Sequence, residues 1–271
     1  MSKKAQRLRR KQAGGHYTDQ FAQPWGHAPA FHGEGEQRVV KDKTPLEPKT
    51  ENQGKYLNSI QRNDITLGLG PAGTGKTFVA TAWAAEQLEQ DKRLKLIITR
   101  PAVEAGDEQI GFLKGDMSEK FDPYFRPVKA ILDKRLGGGD VEGKIASGRI
   151  EIQPLGFLRG WTFENCIVIL DEAQNTTPAI MKMFLTRIGK NCTMIINGDI
   201  KQSDIKGPNG LADAKKKLDG LKGVGLITFT RDDIVRHGLV REIIDRYEID
   251  PAATSGAFGE QEPPAFLARP E

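Results

Sequence analysis

An α/β fold, with a mostly parallel sheet covered by helices on both faces, is predicted for the body of this 271-residue chain. Three observations predict it. Short, almost continuous apolar runs alternate with segments of helical periodicity, which is the pattern of a parallel sheet buried between helices. A glycine-rich turn joins the first apolar run to a helix. No apolar run approaches the about 20 residues that a membrane-spanning helix requires, so we expect no membrane segment and a cytoplasmic protein.

The individual elements are predicted from local patterns. Expected strands span residues 64–69, 94–99, 149–153, 166–170, 193–197 and 226–229. Expected helices span residues 51–61, 76–90, 178–188 and 210–218, with a last one carrying an apolar face from Leu239 to Tyr247. The connection 101–149 is expected to be mostly helical. Pro123, Pro127 and the glycines 137–139 should break it, because proline removes a helical hydrogen bond.

Two tails flank the predicted domain. Residues 1–48 and 251–271 are rich in Gly, Pro and polar residues, so we expect disorder in both and a folded domain over 49–250. The net charge is +4, and six basic residues with no acidic one lie within the first twelve positions. This arm is either a contact for nucleic-acid phosphates or a solvated terminus. The domain itself is nearly neutral, so its motifs must indicate its function.

The glycine-rich turn after the first strand has the spacing of a phosphate-binding loop. Its sequence, GPAGTGKT, fits G-x-x-x-x-G-K-[ST] and stands between a strand and a helix, as that motif requires. Glycines let backbone N–H groups curl around phosphate oxygens, and the helix N-terminus adds its positive dipole end. We expect the lysine to bridge the β- and γ-phosphates and the last threonine to bind Mg²⁺. The predicted nucleotide-binding residues are Gly70, Pro71, Ala72, Gly73, Thr74, Gly75, Lys76 and Thr77.

Two carboxylates close the apolar strand 166–170. In a parallel sheet the carboxyl ends of the strands line the ligand crevice, so Asp171 and Glu172 are expected to face the phosphates. Asp171 is suited to holding Mg²⁺, and Glu172 to activating a water for attack on the γ-phosphate. The second carboxylate favours hydrolysis over simple nucleotide binding.

A further strand ends in polar residues at Asn197-Gly198-Asp199, and Gln202 follows. A polar side chain at this edge is placed to sense the γ-phosphate or to position a water. An ordinary polar loop is the alternative.

Five segments together resemble the PhoH-like proteins: GPAGTGKT, TRPAVEAG, ILDEAQNTT, NGDIKQSD and DIVRHGLV, in order between residues 70 and 240. Members of this family are P-loop ATPases similar to the N-terminal RecA-like domain of superfamily-one helicases. The similarity spans residues 48–248 and implies a single RecA-like P-loop NTPase domain that uses ATP and Mg²⁺. No second RecA-like domain is recognisable, so directional unwinding by a monomer is not expected.

The resemblance also implies roles for residues outside the loop. Gln53 matches a glutamine that reads adenine through its amide, which favours ATP. Gln202 matches a γ-phosphate sensor. Arg236 matches a position from which an arginine stabilises transition-state charge. A lone domain would receive that arginine from a neighbouring subunit, which implies a homo-oligomer such as a hexameric ring. The alternatives are a helix-surface residue for Gln53 and a helix-start salt bridge for Arg236.

Two functions of different classes follow. The first is an ATPase coupled to RNA or single-stranded DNA, consistent with the helicase-like motifs and the basic arm. In this class Arg100, in the Thr-Arg-Pro segment, resembles part of a motif that touches nucleic-acid backbone, while Arg126 and Arg159 receive no role. The second is a nucleotide-gated assembly or regulatory protein that handles no strand. A small-molecule kinase is disfavoured by the DEAQ strand end.

Overall fold

The computed structural model describes residues 41–101 and 117–235. In these ranges the strands are β1 Ile65–Leu69, β2 Lys95–Arg100, β3 Ile150–Pro154, β4 Cys166–Leu170, β5 Cys192–Gly198 and β6 Val224–Thr228. The α-helices are α1 Glu51–Arg62, α2 Lys76–Gln90, α3 Met117–Leu136, α4 Gly138–Ala146, α5 Pro178–Leu185 and α6 Gly210–Leu218. Strands and helices thus alternate along most of the described chain, as the sequence predicts.

The strands form one sheet in the order β3-β2-β4-β5-β1-β6, and every neighbouring pair is parallel. Parallel pairing brings all carboxyl ends to one edge of the sheet. At that edge β5 lies between β1, which precedes the glycine-rich loop, and β4, which precedes the two carboxylates. The topology therefore separates the two motifs by a single strand.

Helices cover both faces of the sheet, as predicted. One face packs against α1 to α4 in a core that includes Tyr56, Trp83 and Leu132. The other packs against α5 and α6 through Phe184 and Leu211. Strand β4 contributes alternately to both cores, because successive side chains of a strand point to opposite faces. Its residues are all buried, which explains the continuous apolar run in the sequence.

The helix α3 corrects one prediction. It continues through Pro123 and Pro127, so the expected breaks at these prolines are wrong. A proline inside a helix costs about 3 kcal/mol. Burial of an apolar side chain contributes about 1.5–3 kcal/mol, and α3 buries four of them on the core face: Phe125, Val128, Leu132 and Leu136. Tertiary packing thus overrides local propensity here, whereas the break at the glycine run is confirmed, with Gly137 at φ 90° between α3 and α4.

Residues 41–48 have no helix or strand, but they lie against the domain. The Asp42 amide donates to the Lys134 carbonyl at 2.8 Å, and the Arg135 guanidinium donates to the Thr44 carbonyl at 2.6 Å. The Leu46 amide donates to the Glu86 carboxylate on α2 at 3.3 Å. Residues before position 49, the predicted start of the domain, thus already form hydrogen bonds with it.

Several predictions lie outside the described residues: most of the two tails, the helix from Leu239 to Tyr247, and Arg236. Within the described ranges, none of the helices combines the length and the apolar character needed to cross a bilayer.

Candidate nucleotide-binding site

The glycine-rich loop leaves β1 after Leu69 and enters α2 at Lys76. Its first residue, Gly70, donates its N–H to the Gly198 carbonyl of β5 at 3.1 Å. Gly70 has a φ of 138°, and a β-carbon there would lie 2.4 Å from the carbonyl oxygen of Phe229. Both the backbone conformation and the space therefore require glycine at this position.

The Lys76 side chain folds back into the loop. Its Nζ donates to the carbonyls of Gly70 and Pro71, each at 2.7 Å, and to the Thr74 hydroxyl at 3.2 Å. The side chain is buried. An ammonium held by its own loop at the N-terminal end of α2 lies where the motif presents a cation to phosphate oxygens.

The charge on Lys76 is opposed by burial and supported by carboxylates. Burial lowers the pKa of Lys76 below its ordinary value, and the negative charges of Asp199, Asp171 and Glu172 act in the opposite direction. Asp199 exerts the largest of the three effects, and it is itself buried at the end of β5. The cation is thus surrounded by the acidic ends of the two neighbouring strands.

Gln53, on α1, contacts the loop from outside. Its Nε2 donates to the Thr74 carbonyl at 3.0 Å, and its Oε1 accepts the Lys49 N–H at 2.8 Å. Thr50 caps α1 by accepting the Gln53 N–H, so the helix start fixes the position of this side chain. The buried Gln53 amide thus stabilises the loop. A contact of this amide with adenine stays a prediction.

Asp171 is paired through both of its oxygens. Oδ1 accepts the Thr77 hydroxyl at 2.9 Å, and Oδ2 accepts the Arg100 guanidinium at 2.5 Å. The side chains of Asp171 and Arg100 are 4% and 16% exposed, so this ion pair is largely shielded from water. Arg100 is the last residue of β2, which neighbours β4 in the sheet.

Glu172 differs from Asp171 in exposure and in backbone conformation. It is exposed, and it has φ 56° and ψ 39°, a left-handed conformation that is uncommon for a residue with a side chain. Its Oε2 accepts the Nε2–H of Gln174 at 2.7 Å. A strained backbone at such a carboxylate is typical of functional sites, where the surrounding structure maintains it.

Gln174 connects this carboxylate to β5. Its Oε1 accepts the Asp199 N–H at 3.1 Å, while its Nε2 holds Glu172. Gln174 is buried, and a β-carbon at Gly198 would lie 2.6 Å from its Oε1. The absence of a side chain at residue 198 thus allows the amide to reach the strand end.

The acidic turn, which comprises residues 171–175, is also bound to the loop after β5. Asn175 and Asp204 form two hydrogen bonds of 2.9 Å with each other, and the Ser203 hydroxyl donates to the Gln174 carbonyl at 3.1 Å. Gln202, in the same loop, is exposed, and its own N–H donates to the Asp199 carbonyl at 3.0 Å. The structure brings the neighbours of Gln202 to the acidic turn but leaves the Gln202 side chain at the surface.

A buried polar pair supports the sheet edge beneath the site. The Tyr56 hydroxyl donates to Oδ1 of Asn197, and both side chains are fully buried. Burial raises the pKa of Tyr56 well above its ordinary value, and the nearby Asp171 acts in the same direction. The phenol therefore remains neutral and can act as a hydrogen-bond donor.

The predicted residues are thus brought together only in part. Lys76, Thr77, Asp171 and Glu172 lie at the same edge of the sheet. Arg236 lies outside the described residues, although Val235 donates its N–H to the Gly73 carbonyl at 3.1 Å.

Sequence reasoning missed the contacts of Arg100, Gln174 and Asp199. Gln174 lies within the quoted DEAQ segment, and its spacing of two residues from Glu172 was an available signal. The pairing of Arg100 with Asp171 had no such signal, since it depends on the strand order.

The donors beside the loop fit a hard divalent cation. Thr77 and Asp171 offer a hydroxyl and a carboxylate whose oxygens are already 2.9 Å apart. Among the described residues no group of three or more His, Cys, Asp or Glu side chains could hold a metal. Mg²⁺ commonly takes one or two protein oxygens and completes its shell with water and substrate phosphates, so two protein donors are consistent with Mg²⁺.

A strand, a glycine-rich loop and a helix, with an acidic strand end two places away in a parallel sheet, define an α/β protein with a P-loop. Residues 45–248 match the family described as PhoH-like protein, and the chain belongs to that family. The resemblance seen in the five sequence segments is thereby confirmed, and the parallel α/β fold with a P-loop is the one that the sequence predicts.

Two relatives illustrate the similarity. The chain is 50% identical over 202 residues to the PhoH-like protein of Bacillus subtilis (strain 168), a match covering 74% of this chain and 63% of that protein. It is 44% identical over 217 residues to Protein PhoH of Escherichia coli (strain K12), covering 79% of this chain and 61% of that protein. The chain thus spans less than two thirds of the length of these relatives.

Solved structures with a similar arrangement include two phage proteins. The large terminase from a thermophilic bacteriophage, in complex with ADP, has a TM-score of 0.47 at 13% identity, covering 76% of this chain and 51% of that one. The UvsW helicase from bacteriophage T4 has a TM-score of 0.42 at 14% identity, covering 72% and 64%.

Proposed function

We propose that this protein hydrolyses ATP in the presence of Mg²⁺ and that RNA or single-stranded DNA stimulates the reaction. The observation that carries hydrolysis is the exposed Glu172 carboxylate directly after Asp171, which is buried and accepts the Thr77 hydroxyl. A loop that only bound nucleotide would not need a second carboxylate held in a left-handed conformation. The proposal therefore depends on the acidic turn rather than on the loop alone.

Phosphate binding is assigned to the loop and to Lys76. The backbone N–H groups of the loop and the first turn of α2 supply donors and a positive dipole end. The Lys76 ammonium, which donates to loop carbonyls, exchanges these acceptors for β- and γ-phosphate oxygens. Gln53 keeps the loop in place through the Thr74 carbonyl, and adenine recognition by its amide is part of the proposal.

Thr77 and Asp171 are the residues that would hold Mg²⁺. When bound, Mg²⁺ supplies positive charge that neutralises the phosphate oxygens in the transition state. The contribution of the chain is to place the threonine hydroxyl and the aspartate carboxylate side by side before the nucleotide arrives.

Glu172 is assigned the general base. Its exposed carboxylate can accept a proton from an attacking water, and the hydrogen bond from Gln174 orients it. In the same proposal Gln202 senses the γ-phosphate, and Arg236 stabilises transition-state charge from a neighbouring subunit of a homo-oligomeric ring.

Coupling to nucleic acid is supported by the helicase-like sequence motifs and by the basic residues of the first twelve positions. The test is ATP turnover by the full-length protein with and without RNA or single-stranded DNA. Stimulation that falls as salt rises is expected, because phosphate contacts release counterions. A variant lacking residues 1–12 reports how much of the effect belongs to the arm.

A nucleotide-gated assembly protein is the competing function. It predicts an oligomeric state that follows ATP and a turnover that no polynucleotide changes. Size measurement with and without ATP, made on the same samples, distinguishes the two. Turnover indifferent to every polynucleotide would overturn the coupling but not the hydrolysis.

A further inference from the structure

The guanidinium of Arg100 occupies the carboxylate that is assigned to Mg²⁺. Asp171 Oδ2 accepts from Arg100 at 2.5 Å while Oδ1 accepts from Thr77 at 2.9 Å. A guanidinium bound to a carboxylate is among the stronger charge-assisted contacts in proteins. The pair is largely buried, with side-chain exposures of 16% and 4%. Asp171 is therefore already neutralised by a cation before any metal binds.

Mg²⁺ at Asp171 would place a second cation on a carboxylate that Arg100 already neutralises. Mg²⁺ requires short contacts to oxygen with near-octahedral geometry, and it draws electron density from the carboxylate that it binds. A doubly charged ion on one oxygen and a guanidinium on the other repel each other, and this repulsion is strong where water is excluded. This repulsion opposes simultaneous binding of the ion and of Arg100 to Asp171.

We propose that Arg100 competes with Mg²⁺ for Asp171. Without the metal–nucleotide complex it neutralises the carboxylate, and when that complex binds it gives up Asp171. Arg100 thereby lowers the affinity of the site for the ion. This inference deepens the proposed function, because it rests on Mg²⁺ binding at Thr77 and Asp171.

The strand that carries Arg100 lies on the far side of β4 from the nucleotide loop. Arg100 ends β2 and is in register with Pro154, the last residue of β3. It is followed directly by Pro101, whose ring restricts the backbone of the residue before it. In the proposed exchange, the contacts that change therefore lie at the carboxyl ends of β2 and β3.

The test measures metal binding rather than turnover. Mn²⁺ serves as the probe for Mg²⁺, and its affinity for the complex of the full-length protein with ADP is measured from the loss of the free Mn²⁺ electron paramagnetic resonance signal. Arg100→Ala should bind Mn²⁺ about fivefold or more tightly than the wild type, within the usual range for coupled binding events. Arg100→Gln keeps a donor for Asp171 without the charge and should also bind more tightly, whereas Arg100→Lys should stay closer to the wild type.

The matched control is Arg135→Ala. Arg135 is also a mostly buried arginine, paired with Glu86 between α3 and α2, so its loss removes a comparable ion pair elsewhere. Its Mn²⁺ affinity should equal that of the wild type. Thermal melting of each variant confirms that it is folded, and Arg100→Gln carries the test if Arg100→Ala does not fold.

Two outcomes overturn the proposal, and they are distinguishable. If Asp171→Asn loses Mn²⁺ but Arg100→Ala and Arg100→Gln bind it with wild-type or weaker affinity, Arg100 does not compete and the metal site stands. If the wild type and Asp171→Asn bind Mn²⁺ equally, the assignment of Asp171 to the metal fails, and the role of Arg100 fails with it.

Discussion

The phosphate loop and the acidic turn lie at the same edge of the sheet but are held in different ways. The loop is maintained mainly by contacts with nearby backbone: Lys76 binds the carbonyls of its own loop, and Gly70 fits against the strand ends beside it. The acidic turn is maintained by its own side chains, which bind the segment after β5: Gln174 binds the backbone at Asp199, and Asn175 binds Asp204. Substitutions in the loop should therefore affect nucleotide binding, and substitutions in the turn should affect turnover.

The largest effect is expected for Glu172→Gln. The amide has the shape of the carboxylate but cannot accept the proton from water, so kcat should fall about 1,000-fold, within the range for loss of a general base. ATP affinity should stay within about twofold of the wild type, because phosphate binding belongs to the loop. Single-turnover ATP hydrolysis and equilibrium binding of a fluorescent ATP analogue measure the two quantities. Turnover at the wild-type rate would show that Glu172 is not the base.

A smaller effect, on nucleotide affinity rather than on kcat, is expected for Lys76→Ala. Loss of a charge-assisted contact to phosphate costs about 1.5–3 kcal/mol, so nucleotide affinity should fall about 10- to 100-fold. Titration of the same fluorescent analogue measures this. A control is Lys95→Ala. Lys95 is the first residue of β2 and so lies at the edge of the sheet opposite to the loop, and this variant should bind the nucleotide as the wild type does. Unchanged affinity of Lys76→Ala would place the phosphates elsewhere.

Gln174→Ala should lower kcat about tenfold while sparing ATP affinity. The variant keeps the Glu172 carboxylate but removes the amide that orients it, and a misoriented base slows the reaction. Gln153→Ala is a closely matched control, since Gln153 donates to Glu151 two residues before it at 3.0 Å but lies on the edge strand β3. Equal rates for the two variants would remove the positioning role from Gln174.

The smallest effect concerns stability. Burial tends to raise the pKa of Asp233, but hydrogen bonds from Asn52 and Thr230 outweigh it and hold the pKa below its ordinary value. A lowered pKa in the folded state stabilises the protein above the pKa of the unfolded chain, and the effect is lost as pH falls through the folded-state value. Asn52→Ala should cost about 1 kcal/mol at pH 7.

Thermal melting at a series of pH values measures this effect. The difference between Asn52→Ala and the wild type should shrink below about pH 3.9, the ordinary aspartate pKa. The exposed Asn58, on the same helix, provides the control Asn58→Ala, which should melt as the wild type does at every pH. A difference that stayed constant with pH would show that the hydrogen bond to Asp233 is not its source.

The contrast between a contiguous loop motif and contacts of distant segments also explains which features can be predicted from the sequence. The loop is one contiguous motif, so Lys76 and Thr77 could be identified from spacing, and the apolar runs were enough to predict the sheet. The pairing of Arg100 with Asp171 requires β2 to lie beside β4, and strand order is not contained in any local pattern. The helix over Pro123 and Pro127 was mispredicted for a related reason, because its stability comes from a core built by distant segments.

One peptide unit touches both halves of the site. The carbonyl of Gly198 accepts from the loop at Gly70, and the N–H of the next residue, Asp199, donates to Gln174 of the acidic turn. These two groups belong to the same planar amide, so they cannot rotate independently. Rotation of this single plane breaks both hydrogen bonds at once. In the proposed function, the loop assigned to the phosphates and the amide that orients the assigned base are therefore joined through one rigid backbone unit at the end of β5.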